Sequence, residues 1–178
     1  VFLPKAGDAR EAFETTINEV IEAEGQHVLG WRTVPVDNSD LGVSVIPTEP
    51  VIRQVFIGRG ESTPGQNAFE RKLFVIHKLA ESKVRRSEMA GRENFYIASM
   101  SSRTLVYKGM LLADQVGHYY KDLNDERVTS ALALVHQFAT AFVDHPRPVF
   151  QLGQQDLHRL QLAVQGLEVG APLLQQAA

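Results

Sequence analysis

The chain has 178 residues, a formal net charge of −3 and a sequence pI of about 6.1, so its charge gives no reason to expect a nucleic-acid partner or an anionic membrane surface. No run approaches the roughly 18 apolar residues of a membrane span, and the length suits one domain with an ordinary core. Cysteine is absent, which excludes disulfides, thiolate metal sites and a thiolate nucleophile within this chain and fits a cytoplasmic location.

The first third of the chain predicts one amphipathic helix and two strands. Asp8 is the candidate N-cap of a helix from about Ala9 to Glu24, and Gly25 is a good residue to end it. A strand is predicted from His27 to Val36 and a second over Val51–Gly58, because both runs are rich in β-branched and aromatic residues. Apolar residues at helical spacing define the buried side of the helix: Phe13, Ile17, Val20 and Ile21.

Alternation along the first predicted strand divides its side chains between two faces. Trp31, the only tryptophan, is expected to be a core or layer-contact residue. Leu29 and Thr33 would lie on the same face as Trp31. The opposite face is expected to carry Val28, Gly30, Arg32 and Val34.

A second amphipathic helix is predicted from Ala68 to about Arg86, with Asn67 as its cap. His77 lies beside the apolar stripe of this helix and is taken to have no acidic partner one turn away, so no metal site is expected there. Two β-prone runs follow, Phe95–Met100 and Thr104–Tyr107, and they predict a strand–turn–strand unit. The buried stripe of the helix is expected to consist of Phe69, Leu73, Ile76, Leu79 and Ala80.

Helical spacing resumes over 110–116, and the apolar run Ser130–Val135 is short enough to favour a strand, with a helix as the open alternative. The predicted order is helix, strand, strand, helix, strand, strand, helix, followed by this run. Sheets flanked by helices would bury all of these apolar faces. The sequence therefore predicts an α+β fold.

Four phrases of the sequence carry a resemblance to a known family. They are VLGWRTVPVDNSDLG from Val28, EPVIRQVFIGRG from Glu49, AFERKLFVIHK from Ala68 and SSRTLVYKGMLLADQ from Ser101. In these phrases the chain resembles the glutaminase domain of glutamate synthase large subunits, a class II (N-terminal nucleophile) glutamine amidotransferase. The resemblance runs in one register from Val1 to about Gln137 without a large gap.

The resemblance implies a four-layer α/β/β/α sandwich, of which this chain would form part, and hydrolysis of glutamine by an N-terminal cysteine. In the family that thiolate attacks the side-chain amide and releases ammonia. Position 1 here is Val1, which has no nucleophilic atom, and the family's cysteine lies well upstream of the strand that VFLP resembles. The chain is therefore interpreted as truncated at its start. No catalytic, substrate-binding, cofactor-binding or metal-binding residue is assigned in it.

A second departure from the family begins after His136. The family continues with a phrase like H-x-R-F-S-T-N, whose arginine pairs with the carboxylate of bound glutamine, whereas this chain has HQFATA at 136–141. Residues 1–137 are thus interpreted as a partial glutaminase domain and 138–178 as a divergent Gln- and Leu-rich tail with no family match. A frameshift, a fusion and genuine divergence all remain open for the tail. A frameshifted or truncated copy is favoured because the loss begins inside a motif.

Two functional hypotheses follow. In the first, the chain is a piece of an enzyme whose intact relatives pass ammonia from glutamine to 2-oxoglutarate. By resemblance that parent uses FMN and an iron–sulfur cluster, and neither is expected to bind to this chain. The partners implied are glutamine and the remainder of the large subunit, with a small subunit as a further candidate. In the second, the chain is a non-catalytic binding or assembly module. Both hypotheses predict that this chain alone is inactive.

Overall fold

A computed structural model describes residues 1–134 and the pair 167–168. Short 3₁₀ helices lie at Ile46–Thr48, Arg92–Asn94 and Lys121–Asn124. The longer helices and the strands, in chain order, are β1 Phe2–Leu3, α1 Gly7–Ala23, β2 His27–Thr33, β3 Val51–Gly58, α2 Gly65–Arg86, α3 Ala113–Tyr119, β4 Thr129–Ser130 and β5 Leu167–Glu168. None of the described helices is both long and apolar enough to cross a bilayer.

Strand β3 is the centre of an antiparallel three-stranded sheet with the order β1-β3-β2. Its bounds, Val51–Gly58, are those predicted from the sequence. Beyond β1, the backbone of Phe2 forms a single antiparallel bridge with Tyr96. The sheet therefore brings residues near positions 96, 2, 52 and 34 side by side.

Helices α1 and α2 lie antiparallel on one face of this sheet. Glu24 pairs with Lys72 at one end of the helix pair, and Phe13 shares a buried cluster with Val84 at the other. The predicted stripe of α1 is confirmed, because all four of its residues are buried. Apolar burial of this kind contributes about 1.5–3 kcal/mol per large side chain. The shared core of the two helices contains Ile17, Val20, Ile21, Ile76 and Ala80.

The predicted stripe of α2 is correct except at one position. Leu79 is 43% exposed, and Val84 is buried instead at the end of the stripe. The helix also begins earlier than predicted, since Pro64 in extended conformation is its N-cap and Asn67 lies within the first turn. Similarly, α1 begins at Gly7, so that Asp8 lies inside its first turn. Both helices thus begin before the polar residue that was expected to cap them.

A β-bulge changes which side chains of β2 share a face. The register with β3 shifts after Val28, which leaves Leu29 as an extra residue. As a result Val28 and Trp31 both pack on the core beneath the helices, while Val34 packs on the opposite core. The predicted assignment of Val28 to the face of Arg32 and Val34 is therefore wrong, whereas the core role predicted for Trp31 is confirmed.

The predicted strand–turn–strand unit is wrong. Phe95–Met100 contributes only the bridge at Tyr96, and Thr104–Tyr107 is irregular. These residues have β-prone side chains, but a strand also requires a neighbouring backbone that accepts and donates its hydrogen bonds. The helix that follows begins at Ala113, later than the apolar spacing suggested.

The last described elements are two short paired strands. Thr129–Ser130 pairs antiparallel with Leu167–Glu168. The predicted strand over Ser130–Val135 overlaps β4 only at its first residue, residues 131–134 are irregular, and residue 135 lies outside the described part of the chain.

A second core lies on the sheet face opposite the helices. There Tyr119, the last residue of α3, and Tyr120 pack with Val34, which follows β2, and with Ile52 of β3. The rings of Tyr119 and Tyr120 meet edge to face with their centroids 4.9 Å apart. Helices cover one face of an antiparallel sheet, and an irregular segment ending in α3 packs on the other. The fold is α+β, as predicted.

Candidate functional site

A buried ion pair lies on this second face of the sheet. Arg32 of β2 and Asp122 are only 6% and 4% exposed. They form a two-point ion pair in which Arg32 Nη1 donates to Asp122 Oδ1 at 3.1 Å and Nη2 donates to Oδ2. A guanidinium and a carboxylate match geometrically in this arrangement. The pair joins the sheet to a residue ninety positions later in the chain.

Two neighbours complete the hydrogen bonds of this pair. Arg32 Nε donates to Gln54 Oε1 at 2.7 Å, and the Tyr107 hydroxyl donates to Asp122 Oδ2 at 2.8 Å. Burial and the adjacent carboxylate of Asp122 raise the pKa of Tyr107 above its usual 10. Tyr107 therefore stays protonated at physiological pH and acts as a fixed donor. A network whose charges and donors are satisfied in this way holds a structure together and has no spare group for proton transfer.

A second polar cluster attaches the phrase SSRTLVYKGMLLADQ to helix α2. The carboxylate of Glu70 accepts hydrogen bonds from the Ser101 hydroxyl at 2.8 Å and from the Ser102 amide at 2.6 Å. The Ser102 hydroxyl also donates to it. Burial raises the pKa of Glu70, but these hydrogen bonds outweigh burial, so the pKa lies below its usual 4.5. The cluster fixes the start of the phrase to the helix layer.

The Ser102–Glu70 pair resembles a nucleophile beside a base only superficially. A general base is effective when its pKa lies near the working pH, whereas the pKa of Glu70 is lowered. In addition, both serine hydroxyls are donors in the cluster, and nothing in it is an imidazole that could carry a proton to a leaving group. The arrangement therefore has the chemistry of an anchor.

The histidine on α2 has an acidic neighbour that the sequence interpretation missed. Nε2 of His77 lies 3.1 Å from Glu81 Oε1, one turn further along the helix, although the two atoms are not aligned as a hydrogen bond. The expectation that His77 lacks an acidic partner is wrong. Burial lowers the pKa of His77, so the imidazole is neutral at physiological pH. Among the described residues, no three side chains of histidine, aspartate or glutamate are grouped as a metal would require.

The sequence departs from the glutaminase pattern at Val1 and at residues 136–141, and only the first of these lies in the described part of the chain. Val1 lies beside β3, where its carbonyl accepts the amide of Arg53 at 2.9 Å. Residues 136–141, where the resemblance led us to expect a substrate-binding arginine, lie outside the described part of the chain. The structure therefore places Val1 beside the sheet.

Sequence reasoning missed both polar clusters. The sequence patterns predict only a strand face for Arg32 and place Asp122 between two predicted elements, because a pairing over ninety residues leaves no local signal. The Glu70 cluster left no local signal either, because its donors lie 31 and 32 residues later in the chain.

Comparison with known proteins agrees with these phrases. The family model described as "Glutamine amidotransferases class-II" matches residues 1–149. The large chain of the NADPH glutamate synthase of Bacillus subtilis (strain 168) is 47% identical over 141 residues, which is 79% of this chain and 9% of that protein. The corresponding large chain of Azospirillum brasilense is 37% identical over 138 residues, or 77% of this chain and 9% of that protein.

A plant relative gives the same result. The ferredoxin-dependent glutamate synthase of Oryza sativa subsp. japonica is 36% identical over 137 residues, covering 77% of this chain and 8% of that protein. The chain thus spans less than a tenth of the length of these relatives. With the family model matching most of its residues, the chain belongs to the class II glutamine amidotransferases and is similar to the amidotransferase domain of glutamate synthase large chains.

Proposed function

We propose that this chain is part of a glutaminase domain that serves glutamate synthesis from glutamine and 2-oxoglutarate, and that the chain alone does not hydrolyse glutamine. The family match over residues 1–149 supports the first statement. The absence of cysteine supports the second. Without a thiolate, no thioester can form on this chain, and the amide nitrogen of glutamine has no route of departure as ammonia through the family's mechanism.

Glutamate release from glutamine tests this proposal. The purified chain is expected to give no more glutamate than a heat-denatured sample of the same chain, while an unrelated glutaminase serves as the positive control. Val1→Cys is a second variant for this assay. It is also expected to be inactive, because the family's cysteine is expected well upstream of Val1 and because the family's arginine is missing from the HQFATA segment. Turnover by the unmodified chain would contradict the proposed inactivity, and turnover by Val1→Cys alone would contradict both the upstream position of the nucleophile and the need for that arginine.

The organisation of the intact protein belongs to the same proposal. The described sheet and helix layer would form two layers of a four-layer α/β/β/α sandwich, located in the cytoplasm, with the rest of a large subunit and a small subunit as partners. FMN and an iron–sulfur cluster would be bound by other parts of that protein, because this chain has no cysteine to ligate iron. Limited proteolysis of a glutamate synthase complex reconstituted with this chain would reveal whether the chain is protected.

The boundary after residue 137 is a prediction that the coding DNA can test. Reading the DNA around that codon in all three frames is expected to restore the arginine and asparagine of the H-x-R-F-S-T-N phrase in another frame. If no frame restores them, the tail is genuine and the division at residue 137 is a natural fusion or divergence.

A second function, that of a non-catalytic binding or assembly module, is favoured by one observation. The helix layer and sheet already enclose a core in which Phe13, Ile17 and Ile76 are fully buried. A chain with this core should unfold cooperatively by itself. Coincident thermal transitions in circular dichroism and in Trp31 fluorescence would support the module, whereas an aggregating chain without a transition would leave only the enzyme-derived function.

A further inference from the structure

The outward face of α2 combines apolar and cationic side chains. Phe74 is 59% exposed, Val75 39% and Leu79 43%. Exposed arginines flank them, namely Arg71, Arg85 and Arg86, and within the described residues none of the three forms an ion pair. On a helix, positions 71, 74, 75, 78, 82 and 85 share one side, so these side chains form a continuous stripe. An exposed apolar patch with a charged rim is typical of a docking surface.

The neighbouring helix has the opposite charge. Asp8, Glu11 and Glu22 of α1 are exposed and form no ion pair among the described residues. The two helices already attract each other in the layer, through Lys72 with Glu24 at 2.7 Å and Lys83 with Glu19. One surface of this chain therefore presents two parallel strips. The acidic strip is formed by Asp8, Glu11 and Glu22 of α1, and the basic strip by Arg71, Arg85 and Arg86 of α2 with the apolar side chains between them. Each strip contains charges that are not paired within the described residues.

A groove runs between the two strips near the end of α2. It has a volume of about 420 Å³ and is lined by three apolar residues, Val20, Ala23 and Leu79, and by five polar ones that include Glu24, Lys83 and Arg86. Most of its exposed surface is nevertheless apolar, so it suits an apolar side chain. Leu79 borders this groove, whereas Phe74, five residues earlier and so about 140° away around the helix, lies on the opposite edge of the outward face of α2.

We propose that this helix layer is a self-association surface, in which α2 of one copy packs on α1 of a second copy. Because α1 and α2 are antiparallel and side by side, a two-fold axis between the layers places each basic strip on the acidic strip of the other copy. The same operation covers the exposed apolar side chains of each α2 with α1 of the mate. The two strips are complementary within one chain, so a second copy satisfies both at once.

A membrane or a nucleic acid would satisfy only half of this surface. Either polyanion would attract Arg71, Arg85 and Arg86, but the acidic strip of α1 alongside would repel it. The proposal concerns assembly and does not depend on whether any copy hydrolyses glutamine. Failure of the glutaminase proposal would therefore leave it unaffected.

Sedimentation velocity of the full 178-residue chain tests the proposal over total concentrations from about 1 µM to about 500 µM. A monomer–dimer equilibrium is expected, and it should weaken with salt because part of it is electrostatic. Phe74→Ser, Arg71→Glu/Arg85→Glu and Glu11→Lys/Glu22→Lys are each expected to weaken the dimer about tenfold or more. Lys108→Glu/Arg59→Glu changes the net charge by the same amount as the arginine variant but away from the helix layer, and should leave the dimer intact.

Mixing the two charge-reversed variants is the decisive test of the proposed pairing. The arginine variant has two acidic strips and the glutamate variant two basic strips, so each should be monomeric alone, and an equimolar mixture should form a heterodimer. Circular dichroism of each variant establishes that it is folded. A wild-type chain that stays monomeric throughout, a dimer that survives Arg71→Glu/Arg85→Glu, or a mixture that stays monomeric would each overturn the proposal.

Discussion

Replacing Asp122 by asparagine tests whether the buried ion pair holds the segment of α3 against the sheet. The substitution keeps the shape of the side chain and one oxygen acceptor, but it removes the negative charge. Arg32 then remains as a cation that is 6% exposed, without a counter-charge, and the hydroxyl of Tyr107 loses a charged acceptor.

The structure gives the expected size of the effect. Removing one partner of a buried ion pair costs about 3–5 kcal/mol, because the remaining charge has already lost its hydration. Asparagine still accepts one hydrogen bond from Arg32, so the loss should lie near the lower end. With a urea dependence of about 2 kcal/mol/M, a loss of about 3 kcal/mol moves the unfolding midpoint down by about 1.5 M.

Urea unfolding at neutral pH measures this shift, followed by the fluorescence of Trp31, which precedes Arg32 in β2, and by circular dichroism. Glu24→Gln is the matched control, since it removes the carboxylate of a partly exposed pair with Lys72 and should cost less than about 1 kcal/mol.

A double variant separates charge burial from packing. Arg32→Met/Asp122→Leu replaces both charges by apolar groups and should recover much of the stability lost in Asp122→Asn, because no unpaired charge is left. If Asp122→Asn shifts the midpoint no more than Glu24→Gln does, the pair is hydrated in solution and the described docking of α3 is incorrect.

Three further predictions concern the core, a close backbone contact and an anchoring carboxylate. Ile76→Ala should cost about 2–5 kcal/mol in urea unfolding. The exposed Phe74→Ala should be nearly neutral when unfolding is measured on the dilute, monomeric chain, so that association does not contribute. Equal losses would contradict the described burial. Gly60→Ala should destabilise by about 1–3 kcal/mol because its Cβ would lie 1.9 Å from a backbone oxygen, while Gly7→Ala, with open space around it, should not. The pKa of Glu70 is lower in the folded chain than its usual 4.5, so the contribution of Glu70 to folding stability is complete above pH 4.5 and is lost as the pH falls through the folded pKa. Glu70→Gln should therefore flatten the decline of the urea midpoint below pH 4.5. An unchanged slope would refute the anchoring role.

Amphipathic periodicity determined the helix layer from the sequence alone. Both long helices and the central strand β3 were located correctly, because the burial of a stripe or of a continuous apolar run is recorded in local spacing. The errors at Asn67 and Leu79 concern the end and the edge of a helix. There the neighbouring structure, which spacing does not contain, decides which residues are covered.

The family, too, was determined by sequence, since long phrases in one register are specific without any coordinates. The tertiary structure alone decided how the rest is held. A single bulge at Leu29 reversed the faces of β2, and the β-prone run Phe95–Met100 stayed irregular apart from one bridge to Phe2. The ion pair of Arg32 with Asp122 joins residues ninety positions apart. Contacts of this range depend on which backbones and charges meet in space, and local sequence patterns carry no signal for that meeting.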